Sequence, residues 1–304
     1  MTTTEAHASD AGGPELAGSG QAGRVGGASG GSGGNEAYSG SYYSEIEDGS
    51  LRSARAVMPR VLGLVGGGLG DAGSGAVSVV DVGCGVGSWL KGAGESGAGR
   101  VFGVDGDYVE RDRLMIDAGW FSPVDLERAD EVVRVVGERG PFELSMSLEV
   151  GEHLPAARAS GLVGVLTSAA PVVLFSAAVP GQGGMHHINE RWPGFWSELF
   201  EARGYGFVDR LRREFWHDER VEWWYRQNML LYVRRDDAAA VARVTAGGER
   251  LSGVGERPMS LVHPEHFLRC ADSLARSRAR KRGLARVVAA VRGGVTKPAP
   301  LERP

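Results

Sequence analysis

The chain has 304 residues, 42% of them hydrophobic, which suffices for one sizeable α/β domain with a buried core and some additions. Its formal net charge of −4 gives no whole-chain basis for binding nucleic acid or an anionic membrane, so nucleic acid is disfavoured as a partner. Two cysteines are too few for a disulfide framework, and the absence of an apolar run of roughly 20 residues leads us to expect a cytoplasmic protein without a transmembrane segment.

The first 75 residues fall into three segments of different composition. Residues 1–37 are rich in Gly, Ala and Ser, which predicts a disordered N-terminus because little apolar surface offsets the chain entropy. Apolar residues at helical spacing over 42–65 predict one or two helices that cap the main domain. Residues 66–75 are a predicted flexible connector.

Apolar runs that alternate with helical stretches then predict a Rossmann-like α/β fold, a mostly parallel sheet with helices on both faces. The predicted strands are Val77–Val82, Val101–Val104, Phe142–Leu148, Val172–Ala177, Tyr205–Arg210 and Asn228–Val233, with a weaker one over Phe121–Val124. No crossover helix is evident before the last strand, which is therefore expected to be antiparallel. The main domain is predicted over 38–236, followed by an extension over 237–304.

The extension ends in a basic tail that begins at Arg276. We expect it to be solvated and in part disordered. A basic amphipathic helix that contacts a membrane or RNA is the alternative.

A glycine-rich loop follows the first predicted strand, in Val-Val-Asp-Val-Gly-Cys-Gly-Val-Gly at 79–87. Gly83, Gly85 and Gly87 let the backbone turn tightly and approach a ligand. The dinucleotide fingerprint spaces its glycines G-x-G-x-x-G, whereas here the third glycine comes one residue early. Asp81, just before the glycines, would repel a pyrophosphate and attract a cationic or zwitterionic ligand. The loop thus favours S-adenosylmethionine over NAD.

This loop resembles the first motif of the class I S-adenosylmethionine-dependent methyltransferases, and the resemblance covers about 42–235. It implies a Rossmann-like methyltransferase sheet in which Asp81 and the glycines surround the methionine end of the cofactor. It further implies that Asp105, after the second strand, binds the two ribose hydroxyls and that Asp125 faces the adenine amino group. Alone, a glycine-rich turn is only a turn and such an Asp only a helix cap. Their ordered occurrence favours the cofactor.

A second cluster follows the Phe142–Leu148 strand at its carboxyl end, where ligands bind in open α/β sheets. Glu149, Glu152 and His153 can converge there, and either His186 or His187 could supply a fourth ligand after the next strand. This mixed oxygen and nitrogen set suits a divalent ion such as Mg²⁺ or Mn²⁺. Such an ion would bind neighbouring substrate hydroxyls and lower the pKa of the attacking one.

The same cluster is similar to the Glu-x-x-Glu-His signature of metal-dependent O-methyltransferases, including the small-RNA 3′-end 2′-O-methyltransferases and the ubiquinone-pathway enzymes. The first group favours His187, because His-x-x-Glu closely followed by Trp occurs here too. In a metal-free alternative, His153 or His187 is the catalytic general base. The simplest alternative is that Glu152 and His153 only flank a helix.

The sequence therefore predicts methyl transfer from S-adenosylmethionine to a hydroxyl of a small, sugar-bearing or polyhydroxylated metabolite. An RNA 3′-terminal 2′-O-methyltransferase is an alternative that the acidic net charge disfavours. A non-catalytic scaffold that only binds the cofactor is another, disfavoured by the intact glycine and acidic motifs. An NAD oxidoreductase is a more distant interpretation.

Overall fold

The computed structural model describes residues 36–66 and 76–293, and the side chains of 47–66 and 76–281. Of the N-terminus predicted to be disordered over 1–37, residues 1–35 lie outside the described residues, and Glu36 and Ala37 begin a helix. Most of the predicted connector also lies outside the described residues. The contacts reported below lie within the compact unit Ser41–Pro304.

Seven strands form one sheet. They are β1 (Ser78–Val82), β2 (Arg100–Asp105), β3 (Phe121–Pro123), β4 (Leu144–Leu148), β5 (Val172–Ser176), β6 (Tyr205–Val208) and β7 (Leu230–Arg234). The sheet order is β3-β2-β1-β4-β5-β7-β6. Strands β1 to β5 are parallel to one another, and β7 is antiparallel to both β5 and β6. The predicted mostly parallel sheet and the antiparallel last strand are both confirmed.

Nine α-helices are described. They are α1 (Glu36–Gly66), α2 (Ser88–Glu95), α3 (Ala129–Gly137), α4 (Ala159–Ala169), α5 (Pro193–Glu201), α6 (Leu211–Phe215), α7 (Trp223–Asn228), α8 (Ala238–Val244) and α9 (Pro264–Gly293). Only the short α6 and α7 separate β6 from β7, which enters the sheet between β5 and β6 as its antiparallel neighbour. None of the helices in the described part of the chain is long and apolar enough to cross a membrane.

Two hydrophobic cores lie on the two faces of the sheet. Successive residues of β1 point to opposite faces, so Val79 belongs to one core and Val80 to the other. The predicted N-terminal cap is one helix, α1, whose Met58 and Val61 are fully buried in the Val79 core. Strands buried on both faces explain why β5 and most of β1 are apolar, whereas β4 alternates apolar residues with the buried Ser145 and Ser147.

The C-terminal tail is helical over part of its length. α9 continues to Gly293, and the expected partial disorder stays a prediction for 294–304, which lie outside the described residues. Arg and Ala supply 10 of the 18 residues over 276–293, and both are good helix formers. The side chains over 271–281 are all exposed, so this part of the helix is solvated.

The parallel register brings the carboxyl ends of the central strands level with one another. Val82 of β1 pairs with Val104 of β2, and Leu148 of β4 pairs with Ser176 of β5. The loops that follow these strands therefore meet at one edge of the sheet, where ligands bind in folds of this type.

Candidate active site

The glycine loop after β1 has left-handed backbone at all three positions, with φ of +87° at Gly83, +53° at Gly85 and +86° at Gly87. A Cβ at Gly83 would lie 2.4 Å from Val150 Cγ2, so only glycine fits there. At Gly85 no atom of the described residues lies within 4 Å of the Cβ position. The loop thus packs tightly at its first glycine and leaves open space at its second.

Asp81 lies just before this loop and is only 2% exposed. Its Oδ1 has no hydrogen-bond partner among the described residues. Burial, and then the charge of Asp105, raise the pKa of Asp81 to about 8. A buried carboxylate without a partner is costly, so this atom is suited to meet a cation or a hydrogen-bond donor from a ligand.

Asp105 ends β2 and is also buried. Its Oδ2 accepts a hydrogen bond from Gly85 N–H at 2.7 Å, and its Oδ1 accepts one from Gly106 N–H at 2.7 Å. The hydroxyl of Tyr108, a residue 76% exposed, donates to the same Oδ1. The carboxylate thus faces the glycine loop and already binds one hydroxyl group. Sequence reasoning gave Tyr108 no role, and its only signal is that it lies three residues after Asp105.

Asp125 stands two residues after β3, at the same edge of the sheet. The residue is exposed, and its Oδ1 accepts a hydrogen bond from Glu127 N–H at 3.0 Å, which closes its own turn. Its assignment to the adenine amino group stays a prediction.

Glu149, the first residue after β4, has an unusual φ of +56°. Its carboxylate accepts hydrogen bonds from Gln182 Nε2 at 2.7 Å and from Asn228 Nδ2 at 3.1 Å. Burial raises the pKa of Glu149, although these hydrogen bonds act in the opposite direction. Two amide donors therefore engage this carboxylate. Neither Gln182 nor Asn228 carries a sequence signal for such a role.

Glu152, His153 and His187, which we call the Glu–His cluster, each present one ligand-type atom, and these atoms lie within 4.8 Å of one another. Glu152 is 0% exposed, and neither carboxylate oxygen has a hydrogen-bond partner in the described part of the chain. His187 Nε2 lies 4.0 Å from Glu152 Oε1, and the two imidazole rings meet edge to face at 4.8 Å. The structure thus brings together three of the four predicted ligands, and Glu149 is outside this group.

The electrostatics of the cluster follow from its burial. Burial and the neighbouring charge of Glu149 raise the pKa of Glu152 well above its usual range. Burial, followed by the neighbouring His187, lowers the pKa of His153. Each shift favours the uncharged form of its group.

Glu190 orients His187. Its carboxylate accepts hydrogen bonds from Gly181 N–H at 2.7 Å and Gly183 N–H at 2.8 Å, and it contacts His187 Nδ1 at 3.0 Å. A carboxylate on Nδ1 holds the proton there and leaves Nε2 free to face Glu152. His186 is exposed and lies outside the cluster, so the structure places His187 there in preference to its neighbour.

The glycine loop and the Glu–His cluster lie side by side. The side chain of Val150, in the turn that carries Glu152, fills the space beside Gly83. Because Gly83 begins the loop that leaves open space at Gly85, the two sets of residues form parts of one site. This arrangement could hold a ligand at the loop and a second molecule at the cluster.

Neither a protein-family model nor a curated protein matches the chain. Among solved structures it is similar to an O-methyltransferase family protein from Burkholderia thailandensis, with 14% identity, 63% of this chain and 59% of that chain covered, and a TM-score of 0.44. It is similar to magnesium protoporphyrin IX methyltransferase from Synechocystis PCC 6803 with bound S-adenosylhomocysteine (SAH), with 18% identity, 63% and 87% covered, and a TM-score of 0.43. It is also similar to CalS10, an amino pentose methyltransferase from Micromonospora echinaspora, with 15% identity, 66% and 97% covered, and a TM-score of 0.45. Such likenesses concern the fold alone, and the chemistry depends on this chain's own residues.

Proposed function

We propose that this chain is an S-adenosylmethionine-dependent methyltransferase that methylates a hydroxyl of a small, sugar-bearing or polyhydroxylated metabolite. One observation carries the proposal, namely the open space beside Gly85 with the buried carboxylates of Asp81 and Asp105 before and beside the loop. The Glu–His cluster adjoins this space through the contact of Val150 with Gly83.

The residues around the loop fit S-adenosylmethionine. Asp81 Oδ1 is buried without a partner among the described residues, and the α-ammonium group of the cofactor would supply one. Asp105 Oδ1 already accepts a hydroxyl hydrogen bond, from Tyr108, and a ribose hydroxyl offers the same chemistry. The missing side chain at Gly85 leaves room for the ligand.

The Glu–His cluster fits a divalent cation with mixed oxygen and nitrogen preference, such as Mg²⁺ or Mn²⁺. The two oxygens of Glu152 lack partners in the described structure, and Glu190 holds His187 with Nε2 free. When bound, such a cation would lower the pKa of an acceptor hydroxyl and bind its hydroxyl neighbours. In the metal-free alternative, an imidazole nitrogen of His153 or His187 accepts the hydroxyl proton directly.

When bound, S-adenosylmethionine supplies an electrophilic methyl group. The task of this chain's residues is to hold the acceptor oxygen close to that group and in line with the departing sulfur. Positioning of this kind lowers a barrier by several kcal/mol. The cluster would also take the hydroxyl proton, since a neutral alcohol is a poor nucleophile.

Isothermal titration calorimetry with SAM and SAH tests the cofactor proposal. Wild-type protein is expected to bind both, and Asp105→Asn to bind SAH about ten- to a hundredfold more weakly, because a hydrogen bond to a charged group contributes about 1.5–3 kcal/mol. Asp125→Asn serves as a comparison at the same edge of the sheet. Equal losses of SAH affinity in the two variants would show that Asp105 is not the main polar contact of the cofactor. Wild-type protein that binds neither compound would refute the proposal.

Thermal denaturation with and without Mn²⁺ tests the metal. Wild-type protein is expected to be stabilised by Mn²⁺, and Glu152→Gln to lose this response because a carboxamide cannot ionise to bind the cation. Glu149→Gln is the matched control, since Gln182 and Asn228 engage that carboxylate and the response should persist.

Transfer of a labelled methyl group to a panel of sugars, polyols and phenols, with and without a strong chelator, completes the test. Activity that is lost in chelator and restored by Mn²⁺ supports the metal. Activity that is unchanged by chelator and is lost in His153→Ala or His187→Ala supports the metal-free alternative, in which a histidine is the general base.

A further inference from the structure

The segment that begins α9 lies against the loop that carries His187. His263 and His266 are 4% and 3% exposed, in contrast to the exposed helix that follows them. His266 Nε2 lies 3.1 Å from the carbonyl oxygen of Gly181. Gly181 belongs to the histidine loop, which we define as residues 177–192 between β5 and α5.

The Gln227 side chain connects this segment to the interior. The backbone N–H of His263 donates to Gln227 Oε1 at 2.8 Å, which fixes the orientation of the amide, since that N–H can only donate. His266 Nδ1 lies 3.0 Å from the same oxygen. Gln227 Nε2 in turn donates to Asn228 Oδ1 at 3.0 Å. The imidazole of His266 therefore lies between Gln227 and Gly181. Both partner atoms are acceptors, so a neutral ring donates one hydrogen bond and an imidazolium donates two.

Asn228 carries the connection to the turn that holds Glu152. Its Nδ2 donates to Glu149 and, at 2.9 Å, to Gln182 Oε1 of the histidine loop. The loop also reaches this turn through its backbone, because Ile188 N–H donates to the carbonyl oxygen of Glu152 at 2.9 Å. These hydrogen bonds thus join the start of α9 to Glu149, in the turn that holds Glu152, and to Gln182, in the loop that holds His187.

The histidine loop needs such support. Gly181, Gly183 and Gly184 give its first part a large conformational entropy to lose, and Gly181 and Gly183 have left-handed φ of +87° and +71°. The ring of His266 is itself held by stacking on Trp223, with ring centroids 5.1 Å apart and planes at 26°. A hydrogen-bonded network that starts from the buried His263 and His266 restricts the loop to one geometry.

We propose that His266 is a positioning residue of the site, and that the His263–His266 segment holds the histidine loop so that His187 faces Glu152. The functional value of this positioning rests on the proposed function, in which the Glu–His cluster serves methyl transfer. The hydrogen bonds that carry it are independent of any ligand.

The test compares full-length His266→Phe with Ser252→Ala. Phenylalanine keeps a ring against Trp223 and removes the polar contacts of both ring nitrogens of His266. Ser252 also lies in the C-terminal part of the chain, where its hydroxyl accepts one hydrogen bond from Phe207 N–H at 3.0 Å, remote from the network in sequence and bonding.

Two measurements are made on each variant without metal or acceptor. Amide hydrogen exchange over 181–189 is expected to quicken about tenfold or more in His266→Phe and to stay unchanged in Ser252→Ala, because only the first variant permits local opening of the loop. The imidazole ¹H–¹⁵N signals of His187 are expected to shift in His266→Phe alone. His266→Gln, whose amide can still donate toward Gly181, is expected to recover part of the protection, and it serves as the main variant if His266→Phe fails to fold.

Unchanged exchange and unchanged His187 signals in His266→Phe would overturn the proposal. If His266→Phe fails to fold, the same outcome in His266→Gln would overturn it. So would loosening of the loop to the same extent in Ser252→Ala. Calorimetry with SAH is run alongside, and affinity within about twofold of wild type is expected in each variant, since the glycine loop is untouched. Wild-type protein that fails to bind SAM and SAH refutes the methyltransferase proposal, whereas the exchange and imidazole results judge His266 separately.

Discussion

Alanine at Gly83 and alanine at Gly85 are expected to fail in different ways, one in folding and the other in ligand binding. Both positions have left-handed backbone, which costs a non-glycine residue about 1–2 kcal/mol. Only at Gly83 does the new Cβ meet protein, 2.4 Å and 2.8 Å from the two methyl carbons of Val150. Overpacking of this kind adds about 1–3 kcal/mol.

Gly83→Ala is therefore expected to lower the free energy of unfolding by about 2–5 kcal/mol, and Gly85→Ala by about 1–2 kcal/mol. The order reverses for binding. The Cβ at Gly85 points into space that is free of described protein atoms, and we expect SAH affinity to fall at least about tenfold there. Urea denaturation measures the first quantity and calorimetry the second.

Val150→Ala provides the internal check. Combined with Gly83→Ala it removes the methyl groups that the new Cβ would strike, so the double variant should lose less stability than the sum of the single variants. Additive losses, or a Gly85→Ala protein that binds SAH as wild type does, would refute the assignment of these two glycines.

Further predictions concern charge, orientation and the tail. Burial raises the pKa of Asp81 in the folded state to about 8, above its value near 4 in the unfolded state. Between these two pH values the unfolded state binds fewer protons than the folded state. The free energy of unfolding that this group contributes is therefore lost as pH rises toward 8. In urea titrations between about pH 5 and 7, the free energy of unfolding of Asp81→Asn should therefore rise relative to that of wild type by up to about 1.4 kcal/mol per pH unit. A difference in stability between the two proteins that does not change with pH would contradict the burial of this carboxyl. Glu190→Gln should weaken Mn²⁺ binding about ten- to a hundredfold and leave SAH binding intact, since a carboxylate that orients a ligating imidazole has effects of this size. Deletion of 276–304 should leave the urea midpoint and SAH affinity unchanged because the described side chains from 276 onward are exposed, and a lower midpoint would place part of the core beyond Arg276.

Much of the fold could be predicted because it depends on local properties. The strands that became β1 and β5 are short, mostly apolar runs, as expected of strands buried on both faces. β3 gave a weaker signal because it is short and lies at the edge, with only Phe121 buried. The helical part of the tail could not be placed with certainty because its many arginines indicate solvation, and a solvated segment is either helical or disordered.

The sequence by itself determined where the candidate site lies: a glycine loop and a Glu-His turn, each at the carboxyl end of a predicted strand, have to meet at one edge of a parallel sheet. Only the tertiary structure decided which side chains share a contact. Glu149 is engaged by Gln182 and Asn228, 33 and 79 residues further along the chain, and stands apart from the Glu–His cluster. His266 bridges Gln227 and Gly181 across a similar separation. Periodicity and turn chemistry are properties of neighbours in sequence, whereas a buried carboxylate or imidazole pairs with whichever donor or acceptor the packed chain brings within about 3 Å.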